Sequence, residues 1–460
     1  MSQHTDLIRA VLREKCPSHD DALCVLETAL SLEQDPLDYC AITLGVGQAP
    51  TLERCANWAG LAHFDVVPRQ MQGNYAPVRL EALADVRAFK IRLLDRDVLF
   101  CAPQFFELAR LQLLVQAQPK LARRLCLVPA NALRRFLVEA SAEHLLTEAR
   151  QGLARHWPMA SANLELTTPA RLTFVAGLFA TVTLVLISSF FQSAVLFPVV
   201  ALLLALPAAI RLASVLTYRK PALAHPEQRP PDEELPVYSV LIPLRDEAHM
   251  VPQLVAAMLA LDYPHARLDI KFVVEARGRD TVDAIQPVLD RPQFTLIEVP
   301  HAAPLTKPKA LDYALPLARG EFVVVFDAED TPSPDQLWRT ALLFRDNPDV
   351  HCIQAELIVD NAAESPLTSL FAGEYAGLFG VQLPALARWR LPIPLGGTSN
   401  HFRLSSLRRL GGWDPYNVTE DADLGVRLAR SRHRVETLAV GTLEESPPNC
   451  TPGWPSGPDG

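Results

Sequence analysis

Residues 321–330 read EFVVVFDAED, an apolar run that passes straight into acids. A buried strand ending in Asp327, Glu329 and Asp330 gathers carboxylates around one point at a sheet edge. Like charges that close repel one another, so they take up a cation or protonate. Oxygen donors suit a hard divalent ion, Mg2+ or Mn2+, and such ions bridge to phosphates. A solvated acidic turn has the same composition, and the position at a strand end is what favours a site. Two later segments add to it. Residues 395–403, LGGTSNHFR, offer amide and hydroxyl donors for phosphate or sugar oxygens. From Gly411 the chain reads GGWDPYNVTEDADLGVRLAR, with Thr419 as a helix N-cap and Glu420, Asp421 and Asp423 in the first turn. Those acids either cap the helix or turn one carboxylate on the site as a general base.

The elements that must position these groups follow from pattern. YSVLIPL, beginning at Tyr238, is an apolar strand, followed by Arg245-Asp246-Glu247 and a helical period through Leu254, Met258 and Leu261. A second strand covers 269–276 and carries Glu275, and a third covers 294–299. Lys307-Pro308-Lys309 leads a helix over 310–317, before the fourth strand at 321–330. Strands alternating with helices predict a parallel, doubly wound α/β sheet, with ligands beyond the carboxyl ends of the strands. Glu275, Asp327, Glu329 and Asp330 all project there.

In this order the pieces resemble the membrane-bound, polysaccharide-synthase-like branch of the family 2 glycosyltransferases, over about residues 236–446. The resemblance implies a GT-A fold, an α/β Rossmann-like domain. The turn Pro243-Leu-Arg-Asp-Glu247 matches the family's opening loop, and Glu275 stands where a carboxylate contacts the nucleotide base. Lys307-Pro308-Lys309-Ala310 matches a nucleotide-contacting segment, implying Lys309. The metal-binding Asp-x-Asp motif falls on Asp327-Ala328-Glu329, with Asp330 next. Gly397-Thr398 matches a loop near donor or acceptor, and Thr419-Glu420-Asp421 the Thr-Glu-Asp motif, implying Asp421 as base beside Glu420. The activity implied is inverting transfer from a nucleotide-diphosphate sugar, UDP-linked, to a glycan or lipid-linked acceptor in cell-surface polysaccharide synthesis, with Mg2+ or Mn2+ as cofactor. The family's Gln-x-x-Arg-Trp motif is missing: after Glu444-Glu445 the sequence is a Pro/Gly-rich tail at 447–460. That reads as a C-terminal truncation. A non-catalytic membrane module that binds donor or recruits partners is the alternative.

The rest of the 460 residues sets the frame. Hydrophobic residues make up 49% and the net charge is −9, which excludes a disordered chain and argues against a nucleic-acid partner. No G-x-S-x-G and no H-E-x-x-H occurs, which removes the serine hydrolase and metalloprotease readings. A nucleotidyltransferase shares the sheet and acidic site, but its glycine-rich loop after the first strand is replaced by Arg-Asp-Glu. Leu172 to Ile210 contains no Asp, Glu, Lys or Arg. Since a span takes about 20 residues, this predicts a transmembrane hairpin at about 171–190 and 194–217 within 166–220. Basic flanks then predict a multi-pass protein of a bacterial-type inner membrane with both soluble parts cytoplasmic. Residues 221–236 hold five prolines and predict an extended linker before a transferase domain at 237–446.

Residues 1–165 predict a small α+β domain: helices near 6–14 and 21–32, short strands within 51–100, and one long helix over about 130–155. No C-x-x-C pair occurs, so its six cysteines are expected as buried free thiols. The layout resembles the N-terminal domain of type II secretion ATPases. This implies a protein partner or a cyclic dinucleotide as its ligand.

Overall fold

The computed structural model describes residues 2–32, 34–67, 83–84, 86–93, 96–163, 168–188, 196–218, 228–291 and 293–444. The tail at 447–460 lies outside them.

The N-terminal part holds a four-stranded sheet. Its strands are β1 (Ala62–His63), β2 (Ala88–Leu93), β3 (Arg96–Cys101) and β4 (Leu125–Leu127), in the order β1-β4-β3-β2. Helices Ser2–Leu12, His19–Ser31, Gln48–Ala59 and Phe105–Ala117 enclose a core of Leu7, Ile8, Cys40, Cys55, Phe105 and Leu127. Cys16, Cys40, Cys55, Cys101 and Cys126 are free and buried as expected, whereas Cys24 is exposed. Burial pushes the Cys40 and Cys55 thiols up to about 12. Residues 48–59 are helical rather than extended. The long helix breaks at Ser141, whose N–H bifurcates onto Leu137 O and Val138 O, giving helices Ala130–Ala140 and Ala142–His156.

The expected membrane hairpin is corrected. Residues 168–188 and 196–216 are helical. Among the described residues, however, no helix is long and apolar enough to cross a membrane. The second helix also includes Arg211 and is tied to the following domain: Ile210 packs on its core, and Arg388 Nη2 donates to Thr217 O at 2.7 Å. The multi-pass localisation rested on this run and falls with it. The linker is also partly packed: Leu235 is buried, and Arg229 pairs with Asp232 at 2.7 Å and Asp262 at 2.9 Å.

The second sheet has eight strands. They are β5 (Tyr238–Leu244), β6 (Leu268–Glu275), β7 (Phe294–Val299), β8 (Phe322–Val325), β9 (Thr331–Pro332), β10 (Val350–Val359), β11 (Asn400–Arg403) and β12 (Arg434–Glu444). The order is β7-β6-β5-β8-β11-β10-β12-β9. β5 to β8 pair in parallel as the βα alternation requires. β11 runs antiparallel to both β8 and β10, so the sheet is mixed rather than wholly parallel. Side chains alternate across it. Val240 and Ile242 face helices Val251–Leu259 and Gln336–Asp346, while Leu241, Val323 and Val325 face helix Lys307–Ala314. Val128, Leu133 and Leu145 of the N-terminal part share that second core, so one apolar layer joins the two parts.

Candidate active site

β8 ends at Val325, and the backbone then turns sharply, with Asp327 N donating to Asp330 Oδ2 at 2.6 Å. Thr398 Oγ1 donates to the same carboxylate oxygen and to Val325 O at 3.3 Å. Asp330 is only 1% exposed; its Oδ2 staples the acidic turn to the glycine loop, while its Oδ1 is left without a partner. Burial first, then the Asp327 and Glu329 charges, push its carboxyl well above the usual range.

The glycine loop is held by its backbone. Gly396 N donates to Gln354 Oε1 at 2.8 Å, Gln354 Nε2 to Thr398 O at 3.1 Å, and Asn400 Nδ2 to Gly396 O at 2.6 Å. Gly397 is left exposed at the tip. Its carbonyl accepts from Lys307 Nζ at 2.6 Å, and the same ammonium lies 2.6 Å from Asp327 Oδ1. Burial pulls the Lys307 ammonium down, but Asp327 and Asp421 outweigh it and hold it above its ordinary value.

Lys309, the lysine singled out in the sequence, faces elsewhere. It is fully buried, its Nζ 2.5 Å from Glu275 Oε1 and 3.0 Å from Ala302 O. Buried and paired in this way, Lys309 fixes Glu275, whose buried Oε2 has no partner. Lys307, two residues earlier and on another side of the same helix, is the lysine at the acids. Spacing alone does not distinguish them. Pro243 lies inside β5 opposite Val273. Glu247 follows Asp246, which takes a left-handed φ of 58°, and its Oε2 accepts from Arg245 N at 3.1 Å. Burial and then the Glu329 and Asp327 charges raise Glu247.

Glu444 was not assigned from the sequence. The β9–β12 pairing sets Leu443 opposite Thr331, directly after Asp330. Glu444 is half-buried with an unpartnered Oε2, and burial followed by the Asp327 and Glu329 charges raises its carboxyl. Only the pairing register brings it there.

The base candidate arrives on helix Glu420–Arg430. Thr419 does not cap that helix with its side chain; its N and Oγ1 both turn to Asn417 Oδ1, at 3.0 and 3.1 Å. Gly425 lets the helix approach closely, since a Cβ there would lie 2.1 Å from Ile393 O. Asp421 is 9% exposed, and its Oδ1 accepts from Trp413 Nε1 at 3.2 Å. Its Oδ2 faces Gly397, 3.8 Å from where a Cβ on that glycine would stand. Burial lifts the carboxyl to about 7, Lys307 opposes that, and Glu420 and Asp327 reinforce it. A carboxylate poised near neutrality beside an exposed loop suits a general base.

The oxygen-rich donor set and the orphaned oxygens of Asp330 and Glu444 suit a hard cation in chemistry. Among the described residues, no group of three or more His, Cys, Asp or Glu side chains is arranged to hold a metal ion, and Lys307 already neutralises Asp327.

The sequence profile described as "Glycosyltransferase like family 2" matches residues 236–449. A probable glycosyltransferase, YdaM, of Bacillus subtilis (strain 168) is 26% identical over 231 residues, 50% of this chain and 55% of its own. A beta-monoglucosyldiacylglycerol synthase of Trichormus variabilis is 26% identical over 213 residues, 46% of this chain and 45% of its own. The chain spans about half the length of these curated relatives. Among solved structures, the mannosyltransferase PcManGT from Pyrobaculum calidifontis, in complex with GDP-Man and Mn2+, has a TM-score of 0.43 and 22% identity over 55% of this chain and 68% of its own. S. aureus TarS in complex with UDP-GlcNAc has a TM-score of 0.35 and 14% identity over 46% of this chain and 58% of its own.

Proposed function

Starting from a domain at residues 236–449 that matches the family 2 glycosyltransferases and has an α/β, GT-A-type sheet, we propose that the chain transfers a sugar, with inversion, from a nucleotide-diphosphate sugar to an acceptor hydroxyl. The observation that carries this is the meeting of three segments. Lys307 reaches both Asp327 and the Gly397 carbonyl, and Asp421 turns its free oxygen to the same glycine.

The roles follow from that geometry. The exposed rim of Gly397 and the Lys307 ammonium face the donor's diphosphate. Asp327 and Glu329 would hold a divalent cation, which would supply charge neutralisation for the leaving diphosphate. Glu275, fixed by Lys309, and Glu247 line the nucleotide side. Asp421 accepts the proton of the acceptor hydroxyl as that oxygen attacks the anomeric carbon. Glu420 sits beside it and raises its basicity. The acceptor is a glycan or lipid-linked hydroxyl.

The test is release of nucleoside diphosphate from UDP- and GDP-sugars by the full chain, with Mn2+ and with EDTA, beside Asp327→Ala and Asp421→Ala. Metal-dependent release abolished by both substitutions is expected. Donor binding that needs Asp327 without turnover would instead support a donor-binding module, and absence of binding would overturn the donor site.

A further inference from the structure

Residues 411–416 lie between the base candidate and the N-terminal part of the chain, and they touch both. On one side, Trp413 is fully buried and its indole N–H donates to Asp421 Oδ1 at 3.2 Å. On the other, the next residue, Asp414, is equally buried and accepts from the N-terminal part. Ala162 N donates to its Oδ2 at 2.5 Å and Ser161 Oγ to its Oδ1 at 3.4 Å. Tyr416 N closes the turn on Oδ1 at 3.1 Å. Gly411, at φ 79°, packs so closely that a Cβ there would stand 3.1 Å from Leu153 Cδ1 on helix Ala142–His156.

The segment between these contacts has little freedom. Trp413 N donates to Asp312 Oδ1 at 2.9 Å, and Gly412 at φ 69° has no room for a side chain beside that carboxyl. Arg427, buried on the helix that carries Asp421, donates through Nη1 to Leu410 O at 3.0 Å and Gly412 O at 2.8 Å. The Trp413 ring stands edge-on to Phe402 of β11, with centroids 6.0 Å apart. A shift in the Ala162–Asp414 contact therefore has no slack to absorb it before it reaches the indole.

We propose that Trp413 and Asp414 are positioning residues through which the N-terminal part sets the orientation of the Asp421 carboxylate. The indole bond holds Oδ1 and so directs Oδ2 to the Gly397 loop. Docking of residues 153–162 holds the indole. The charged groups facing Asp421 are Lys307, Glu420 and Asp327, and none of them lies in this segment. The inference rests on the glycosyltransferase reading for its catalytic consequence but not for the coupling itself.

The experiment uses the full chain labelled with 15N-tryptophan. Trp413→Phe assigns the Trp413 indole resonance, and Asp421→Asn must move it. Asp414→Ala is expected to move the same resonance, with Asp414→Asn restoring part of the shift. Turnover should then fall about tenfold to a hundredfold, while nucleotide-sugar affinity stays within about twofold, because misplacement acts on the reacting geometry rather than on donor binding. Should Asp414→Ala not fold, Ser161→Ala gives the same test with a smaller shift. An indole resonance unmoved in the folded Asp414 and Ser161 variants overturns the coupling, and so does an equal loss of donor affinity and turnover. If the wild type turns over no nucleotide sugar, the glycosyltransferase reading fails while the resonance still decides the coupling.

Discussion

Among the described residues there are two sheets with parallel pairs, and charged side chains gather at the strand ends of one of them. In the N-terminal sheet, β3 ends in Cys101-Ala102 and β4 in Leu127-Val128, all buried and apolar. In the C-terminal sheet, β8 runs into Asp327 and β6 ends at Glu275, with Lys307, Gly397 and Asp421 brought over the same edge. Strand ends expose backbone and admit polar side chains, so they host sites only where the sequence places charge there. Apolar strand ends become core instead. On the proposed function, the chemistry belongs to one sheet and the other supports it.

The largest expected effect breaks the comparison directly. Asp421→Asn keeps the shape of the side chain and removes the base, and it should lower turnover by about 10²- to 10⁴-fold. In the wild type, turnover should fall as pH drops below about 7, because protonation of a carboxyl raised to about 7 removes its function. A turnover–pH profile without that limb would take the base role from Asp421.

Stability should move the other way in the same variant. The folded carboxyl titrates near 7 and an unfolded one near 3.9, so between those values the folded state binds more protons. The Asp421 contribution to stability therefore declines as pH rises from about 4 to about 7. Asp421→Asn escapes that loss and should be more stable than wild type at pH 8, by on the order of 3 kcal/mol, with little gain at pH 4. Urea midpoints at the two pH values measure it. In the supporting sheet, Leu127→Ala removes a fully buried side chain and should cost about 3 kcal/mol. Turnover per folded molecule should stay unchanged, because Leu127 lies in the separate core of the N-terminal helices. A large fall in turnover there would mean that the sheet has a role in catalysis.

How much of this was legible in the sequence depends on the kind of signal. β5, β6 and β7 follow from short apolar runs with turn residues between them, since a strand buried on both faces needs such a run. Motif order put Gly397-Thr398 near donor or acceptor, while its contact with the acidic turn needed the structure. Other features needed three dimensions. The antiparallel β11 leaves no mark in a local pattern. Glu444 joins the acids only because β12 pairs with β9. Asp330 reads as a ligand, but its Oδ2 is taken by Thr398 and Asp327 N, which leaves only Oδ1 without a partner. The uncharged run at 172–210 obeys the composition rule for a membrane hairpin, yet hydropathy counts residues and not which end docks on the protein.

The two lysines sharpen the comparison at the smallest scale. Lys309 is fully buried against Glu275, and replacing it leaves that carboxylate without its counter-charge, so Lys309→Met should act on stability. Lys307 faces the acids, and its charge holds the Asp421 carboxyl below where burial alone would take it. Lys307→Met removes that restraint, so the acid limb of the turnover–pH profile should move to higher pH. The sign follows from charge: an ammonium favours the ionised carboxylate, and without it ionisation needs a higher pH. At pH 9 the variant should recover more of its turnover than at pH 6. Because Lys307 also faces the donor side, donor affinity is measured separately, and a change confined to affinity would place the lysine on the diphosphate alone. A limb unmoved by Lys307→Met but moved by Lys309→Met would reverse the assignment and make the buried lysine the one that governs the base.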